Sequence, residues 1–451
     1  MGRNNGEDVL KMNNDNFEVR ILKNGTPVLL AIFPDSETVT LGITYNVGGR
    51  NEWKKGKEYD GVSHFLEHQF FKGNPEAGLD PIEVNQAFDA LGGLTNAFTM
   101  EDTTCYYVKC LNTELDNAIT LWNKLLIFGE IDKKEFDKES FVVRQEFKRI
   151  EDSPPSLLYR KMKKELHRGT SLEMDVIGNE DSLSSINLQQ METYRDEHYG
   201  MENAALMVLG NYDKESVFKK LNDTFGSKPA KSEKPKYELT SFKRANESKM
   251  KIVKVDKQTP LVFYGLGIKT LGGLSEDRAA LEILMAYLTL GKSSLLREKL
   301  VRSGICAFAT SFTELYQDVG NLILLAGTSP QSYPVAHDTT MKMLHELRTM
   351  NWTQELLDKI IERIEYSYRS NSEEPMSMLM GQATSLWRRG NFQSMEDRLF
   401  ELNNISLETI HVVRDKLLGN LNGIYGIIGD IGDYEPSFPQ DTWKGSFEIV
   451  Q

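Results

Sequence analysis

The chain has 451 residues, of which 40% are hydrophobic and 26% are charged. This length and composition allow two or more globular domains and exclude collagen-like, low-complexity and disordered chains. The formal net charge of −13 argues against a large surface that binds nucleic acid, so we expect no nucleic-acid partner.

The three cysteines, Cys105, Cys110 and Cys306, are too few for a disulfide framework and odd in number. They suit a reducing compartment. Residues 1–16 are polar and lack the apolar core of a signal peptide. The sequence contains no run of about 18 apolar residues. We therefore expect no membrane span and a cytoplasmic location.

The first half opens with strand-like segments. A helix is predicted over 80–91. Asp80 provides its N-cap, Pro81 suits its first position and Glu83 completes a capping box. Segment 95–110, rich in Thr, Tyr and Val, predicts a β-hairpin or a broken strand pair. The other predicted elements are strands 17–22, 27–33, 39–47 and 204–209, a turn at Asn24-Gly25, and helices near 61–71 and over 113–128 and 134–151.

A polar, basic and proline-bearing stretch at 229–247 predicts an exposed connector. It divides the chain into an N-terminal domain over 17–228 and a C-terminal domain over 248–451. The second half repeats the order of elements of the first, and its segment 424–430 echoes 206–211. The predicted elements of the second half are strands 261–268, 321–327 and 424–430 and helices 277–290, 332–350 and 353–370.

Two histidines form the start of a metal-site pattern. His64 and His68 are four residues apart in a predicted helix, so they share one face and their ring nitrogens can meet one ion. Glu67 stands beside them, within reach of a water on that ion. Zinc takes imidazole or carboxylate ligands and keeps an open fourth position in catalytic sites. A third protein ligand must therefore come from elsewhere.

The predicted helix over 134–151 offers that ligand. Glu139 and Glu146 fall on its apolar stripe, where an unpaired charge is costly. The economical explanation makes Glu146 the zinc ligand and lets Glu139 hydrogen-bond a ligating imidazole and fix its tautomer. The whole stripe comprises Phe136, Glu139, Val142, Val143, Glu146, Phe147 and Ile150.

Each assignment has a simpler alternative. The histidines could be surface side chains flanking a solvated Glu67, and Glu139 could belong to a plain buried salt bridge. Two acids on one apolar stripe favour the metal site. In that site, zinc would acidify a water and polarise a carbonyl. Glu67 would take the water's proton and deliver it to the leaving amine.

Residues 64–73 resemble the zinc helix of the pitrilysin/insulinase family, whose motif is the inverted form H-x-x-E-H. Glu139 and Glu146, seven residues apart, resemble the family's second acidic motif, in which the second glutamate is the zinc ligand. Residues 48–52 are similar to the turn before the zinc helix, and residues 92–99 to the substrate-binding edge strand.

The resemblance implies an α+β fold of two homologous halves, each a mostly antiparallel sheet packed with helices, which form half of a clamshell chamber. It implies a metalloendopeptidase with one Zn²⁺ per chain that hydrolyses short or unfolded peptides in that chamber. The peptide substrate would add as a strand to the edge carrying Asn96 and Ala97. Without the resemblance, these two residues are only a polar break in a strand.

One expected feature is absent from the second half. The family carries an Arg and, seven residues later, a Tyr, which help to hold the substrate and the oxyanion. Here Val301 stands seven residues before Phe308, so the pair is missing. Arg297 and Arg302 lie nearby, and we interpret them as helix-surface charges.

Loss of one transition-state donor costs about 100- to 1000-fold in rate. A lone chain would therefore be slow, which favours a heterodimer over a homodimer. This chain would carry the zinc motif, and a homologous subunit would supply the Arg/Tyr pair. Two alternatives stay open: a non-catalytic scaffold subunit of a larger complex, and a zinc hydrolase of another substrate class, such as an amidase.

Overall fold

The computed structural model describes residues 16–125, 131–229, 250–418, 423–438 and 447–450. The chain divides into two compact units, each assembled from three segments. Unit 1 comprises Met1–Phe147, Met174–Glu238 and Asn371–Ser394, and unit 2 comprises Lys148–Glu173, Leu239–Ser370 and Met395–Gln451. The predicted connector at 229–247 lies, apart from its first residue, outside the described residues. The domain boundaries at 228 and 248 stay a prediction.

Among the described residues, no helix is long and apolar enough to cross a membrane. Most of the helices that the sequence predicts lie within two residues of the expected bounds. The α-helices are α1 (Val62–Gln69), α2 (Pro81–Ala90), α3 (Leu115–Leu125), α4 (Lys133–Asp152), α5 (Pro154–Leu166), α6 (Glu180–Ser185), α7 (Leu188–His198), α8 (Lys214–Thr224), α9 (Arg278–Thr289), α10 (Tyr333–Thr349), α11 (Gln354–Ser372), α12 (Pro375–Arg389), α13 (Met395–Asn403) and α14 (Leu407–Leu418).

Unit 1 contains one six-stranded sheet. Its strands are β1 (Phe17–Ile21), β2 (Pro27–Ile32), β3 (Thr38–Tyr45), β4 (Leu94–Thr99), β5 (Thr104–Leu111) and β6 (Ala204–Gly210). Their order across the sheet is β1-β2-β6-β3-β5-β4. Among the described strands of this sheet, only the β2–β6 pair is parallel. The predicted hairpin over 95–110 is confirmed as β4 and β5, and β4 lies at the edge of the sheet.

Unit 2 repeats this arrangement. Its strands are β7 (Met250–Val255), β8 (Val262–Leu271), β9 (Phe308–Leu315), β10 (Val319–Thr328), β11 (Gly423–Ile428) and β12 (Phe447–Val450). Their order is β12-β7-β11-β8-β10-β9, so each strand from β2 to β6 has a counterpart at the same place. The two parallel pairs are β7–β11 and β7–β12. The predicted α+β fold, with two homologous and mostly antiparallel halves, is confirmed.

Each unit includes one helix from the other half of the sequence. Helix α12 packs on β3 and β6 in unit 1, and α5 packs on β8 and β11 in unit 2. A glycine in each sheet lets the helix approach closely. A Cβ atom at Gly42 would lie 2.5 Å from Leu379 Cδ1, and one at Gly426 would collide with Met162. A side chain at either glycine would force the facing Leu379 or Met162 side chain to move.

Candidate metal centre

Helix α1 carries both histidines and begins at a turn that requires a glycine. Gly61 precedes the helix with φ of 93°, a conformation that glycine adopts without a Cβ penalty. Gly61 offers no side chain to cap the helix, and the fully buried Glu52 supplies the missing acceptors. Its Oε2 accepts from the Gly61 N–H at 2.7 Å, and its Oε1 accepts from the Ser63 N–H at 2.8 Å. Glu52 therefore fixes the first turn of the helix.

The apolar side of α1 sets its position against α4. Phe65 is 1% exposed and stacks on Phe136 of α4, with the ring centroids 5.0 Å apart. Since Phe136 lies one helical turn before Glu139 and three turns before Glu146, this contact aligns both glutamates with the histidines. The apolar stripe of α4 is narrower than predicted, because Val142 is 44% exposed.

Three of the predicted ligands lie together. One donor atom from each of His64, His68 and Glu146 falls within 4.8 Å of the other two. Glu146 Oε2 lies 3.8 Å from His64 Nε2 and 3.6 Å from His68 Nε2. Two imidazole nitrogens and one carboxylate oxygen are a ligand set of catalytic zinc, and these separations suit donors around one ion. The residues present thus fit a zinc ion.

Glu139 lies behind His68. Its Oε2 is 3.0 Å from His68 Nδ1, and its Oε1 is 2.7 Å from Lys72 Nζ. If Nδ1–H donates to Glu139, the lone pair of Nε2 is left facing Glu146. Glu139 is buried, and Lys72 supplies its compensating charge. The carboxylate is therefore both a salt-bridge partner, as the simpler alternative required, and a partner of the imidazole.

The two imidazoles titrate differently. Burial lowers the pKa of His64 to about 4, and the charge of His68 acts in the same direction. Burial also opposes the charged form of His68, but hydrogen bonds with Glu139 and Glu146 outweigh it and raise the pKa to about 9. His64 is therefore neutral at pH 7, whereas His68 must release a proton when it binds a metal ion.

Glu67 lies on the same helix face and contacts the edge strand. Thr99 is the last residue of β4, and its Oγ1 donates a hydrogen bond to Glu67 Oε2 at 2.5 Å. Burial raises the pKa of Glu67, and the Thr99 hydrogen bond opposes that shift. A carboxyl group with a raised pKa is closer to the value that suits proton transfer at neutral pH.

The predicted substrate-binding residues lie on β4. Asn96 is exposed and Ala97 is half-buried, and the Asn96 Oδ1 accepts from the Ala97 N–H at 2.9 Å. In unit 2, Val301 lies in a π-helical turn over Arg297–Arg302, and Phe308 begins β9. Arg302 pairs with Glu298 at 2.7 Å, and Arg297 is exposed. Both arginines have the surface positions that the sequence suggested.

The sequence alone predicts no individual role for Glu52, Lys72 or Thr99. Lys72 is four residues after His68, which is the spacing of neighbours on one helix face, and this spacing is its signal in the sequence. Thr99 is two residues after Ala97 and therefore shares its face of the strand. Glu52 has no comparable signal, because its contact with Gly61, nine positions along the chain, depends on the path of the intervening loop.

Comparison with known proteins gives consistent matches. Residues 28–180 match the family described as Insulinase (Peptidase family M16), and residues 185–364 match the Peptidase M16 inactive domain. An uncharacterized zinc protease of Bacillus subtilis is 27% identical over 395 residues, which cover 86% of this chain and 92% of the relative.

Solved structures show the same fold. A protease from Helicobacter pylori has a TM-score of 0.83 and 24% identity, covering 92% of this chain and 99% of its own. A peptidase M16 inactive domain from Pseudomonas fluorescens has a TM-score of 0.81 and 16% identity, covering 93% and 99%. Both halves of this chain thus have their counterparts in one family. The chain belongs to the pitrilysin, or M16, family of zinc peptidases.

Proposed function

We propose that this protein is a zinc-dependent endopeptidase in which His64, His68 and Glu146 bind one zinc ion per chain. The observation that carries the proposal is the meeting of these three donors beside Glu67. When bound, zinc supplies a Lewis acid that polarises a carbonyl and acidifies a water. The surrounding side chains then hold the ligands, move the proton and orient the peptide.

Glu67 is the proposed general base. Its carboxylate would accept the proton of the attacking water and then deliver it to the leaving amine. Burial raises the pKa of Glu67 and supports this role, because a more basic carboxylate takes up the proton of the water more readily. Glu139 is the proposed partner that keeps His68 in the ligating tautomer.

The proposed substrate is a short or unfolded peptide that binds as an added strand. Strand β4 is an edge strand, so one row of its backbone groups is free of the β5 ladder. Asn96 and Ala97 would orient the peptide backbone there. The Ala97 N–H donates to the Asn96 side chain, and a carbonyl of the bound peptide would replace that side chain as the acceptor. An extended chain satisfies these contacts, and a folded surface does not.

A second part of the proposal concerns assembly. We propose that a homologous subunit supplies the missing Arg/Tyr pair, and that the complete site and its enclosing chamber need both chains. The π-helical turn and the start of β9 offer Val301 and Phe308 instead of an Arg and a Tyr. The cytoplasmic location also stays a prediction, based on the sparse cysteines.

The E67Q variant tests the catalytic proposal. Gln keeps the size of the side chain and cannot take up the proton, so peptide cleavage should fall to background while zinc content stays that of the wild type. A library of quenched fluorescent peptides and elemental analysis provide the two readouts. Retained cleavage in E67Q would remove Glu67 from the proposed role.

The assembly proposal has its own test. A purified single chain should cleave peptides well below the ordinary range of turnover, about 1–10³ s⁻¹. Addition of the homologous subunit should raise that rate. A single chain that turns over at an ordinary rate would contradict the heterodimer and leave the zinc site untouched.

A further inference from the structure

We infer that Thr99 is a positioning residue that holds the Glu67 carboxylate and ties it to the strand where the peptide would bind. The inference rests on the proposed function, in which Glu67 moves the proton. Thr99 ends β4, and its hydroxyl donates to Glu67 Oε2 at 2.5 Å. Helix α1 also packs directly on β4.

A glutamate needs such a partner because its terminal torsion is broad. Rotation about the last side-chain bond moves the carboxylate oxygens while the helix backbone stays in place. Threonine is well suited to stop that rotation, since its branched Cβ restricts its own χ1. A donor held by a rigid strand therefore defines where one Glu67 oxygen lies and leaves the other oxygen for the water.

The position of Thr99 links the base to the substrate. Ala97 and Thr99 are two residues apart on one strand, so their side chains share a face. A peptide that pairs with β4 would be placed along the same backbone that places the Glu67 carboxylate. One strand would thus set both the register of the scissile bond and the position of the base, and errors of about 1 Å in such positions cost about 100-fold in rate.

Two substitutions separate the hydroxyl from the shape of the side chain. T99V keeps the branched shape and removes the donor, and T99S keeps the donor. We expect kcat of T99V to fall about 10- to 100-fold, the range for outer contacts that orient a metal site. KM and zinc content should stay those of the wild type. T99S should keep most of the activity.

Thr40 provides a matched control. It is fully buried in β3 of the same sheet, and its hydroxyl has no hydrogen-bond partner in the structure. T40V therefore makes the same chemical change without removing a bond, and its kcat should equal that of the wild type. Thermal unfolding of all three variants shows whether any loss comes from instability, and rates are compared below the lowest melting temperature.

Crystal structures of the zinc-loaded wild type and T99V give a readout independent of turnover. The Glu67 carboxylate should have one ordered position in the wild type and a displaced or multiple position in T99V. Wild-type kcat in T99V, an equal loss in T99S, or loss of zinc in T99V would each overturn the inference. If the zinc-loaded wild type cleaves no peptide even with its partner, the proposed function fails instead.

Discussion

Arg388 and Asp102 form a two-pronged ion pair, although they are 286 positions apart in sequence. Arg388 Nε lies 3.1 Å from Asp102 Oδ1 and 3.2 Å from Oδ2, and Arg388 Nη2 lies 3.1 Å from Oδ1. Asp102 stands in the turn that joins β4 to β5, and Arg388 stands near the end of α12. The pair thus anchors a helix from the second half of the sequence to the turn after the edge strand.

We expect R388M to destabilise unit 1. Asp102 is 2% exposed, and removal of one partner of a buried ion pair costs about 3–5 kcal/mol, because the other charge is left uncompensated. The double variant D102N/R388M should recover most of the loss. Urea unfolding measures both effects. R144M is the control, since Arg144 is exposed in the same unit and donates to the neutral Ser140, so its loss should cost less. Equal stability of R388M and R144M would contradict the anchoring role.

Glu139 should control zinc affinity without binding the ion. E139Q can still accept from His68 Nδ1, but it loses the charge, and changes to such partners cost about 10- to 100-fold in metal affinity. E146Q should lose more, because it alters a proposed ligand. Competition with a chromogenic chelator measures both. D137N on the same helix is the control, since Asp137 is exposed and pairs with Lys133. Equal zinc affinity of E139Q and D137N would contradict the assignment.

Glu52 should stabilise the helix that carries the histidines. E52A leaves the Gly61 and Ser63 N–H groups without acceptors, at about 1–3 kcal/mol for each buried donor. E52Q keeps one acceptor oxygen and should be intermediate. Thermal unfolding of the zinc-free chain should follow the order wild type, E52Q, E52A. Zinc should raise the melting temperature of all three, because it binds the folded state. An unchanged melting temperature in E52A would show that the helix does not need this cap.

A buried histidine in unit 2 should make stability depend on pH. His167 is fully buried, with Nε2 2.7 Å from Asn321 Oδ1. Burial, aided by nearby Lys269, lowers its pKa to about 3. The unfolded chain therefore binds more protons than the folded chain between about pH 6.5 and 3. The free energy of unfolding should fall as the pH drops through that window.

The variant H167Q isolates this effect. Gln can still donate to Asn321 and does not titrate. The free energy of unfolding of H167Q minus that of the wild type should rise on acidification, by up to about 1.4 kcal/mol per pH unit below pH 6.5. Above that pH the difference should be constant. Urea unfolding at several pH values measures it, and a difference that does not change with pH would contradict the assignment.

Much of the site could be predicted because its pattern is local. The spacing of His64 and His68 follows from one helical turn, and Glu139 and Glu146 stand out as acids on an apolar stripe. The hairpin and the capping box of α2 follow from residue types with direct physical roles. The box forms as predicted, with the Asp80 side chain accepting from the Ile82 and Glu83 N–H groups.

Other features depend on contacts between distant segments. No local pattern predicts that α12 packs on β3, because Gly42 and Leu379 are far apart in sequence. The need for a glycine at position 42 follows only from the contact with α12. The helices α5 and α12 do carry a signal, since each begins with proline at its first position, which favours a helix start. Glu52 caps α1 from a separate turn. Its role follows from the path of the loop, which sequence spacing does not specify.

The zinc site itself is tested most directly by anomalous X-ray scattering from crystals of the zinc-loaded chain. We predict one peak at the zinc edge, within about 2.0–2.2 Å of a nitrogen of His64, a nitrogen of His68 and an oxygen of Glu146. A peak bound to other residues, or crystals grown with zinc that show no peak between these three side chains, would contradict it.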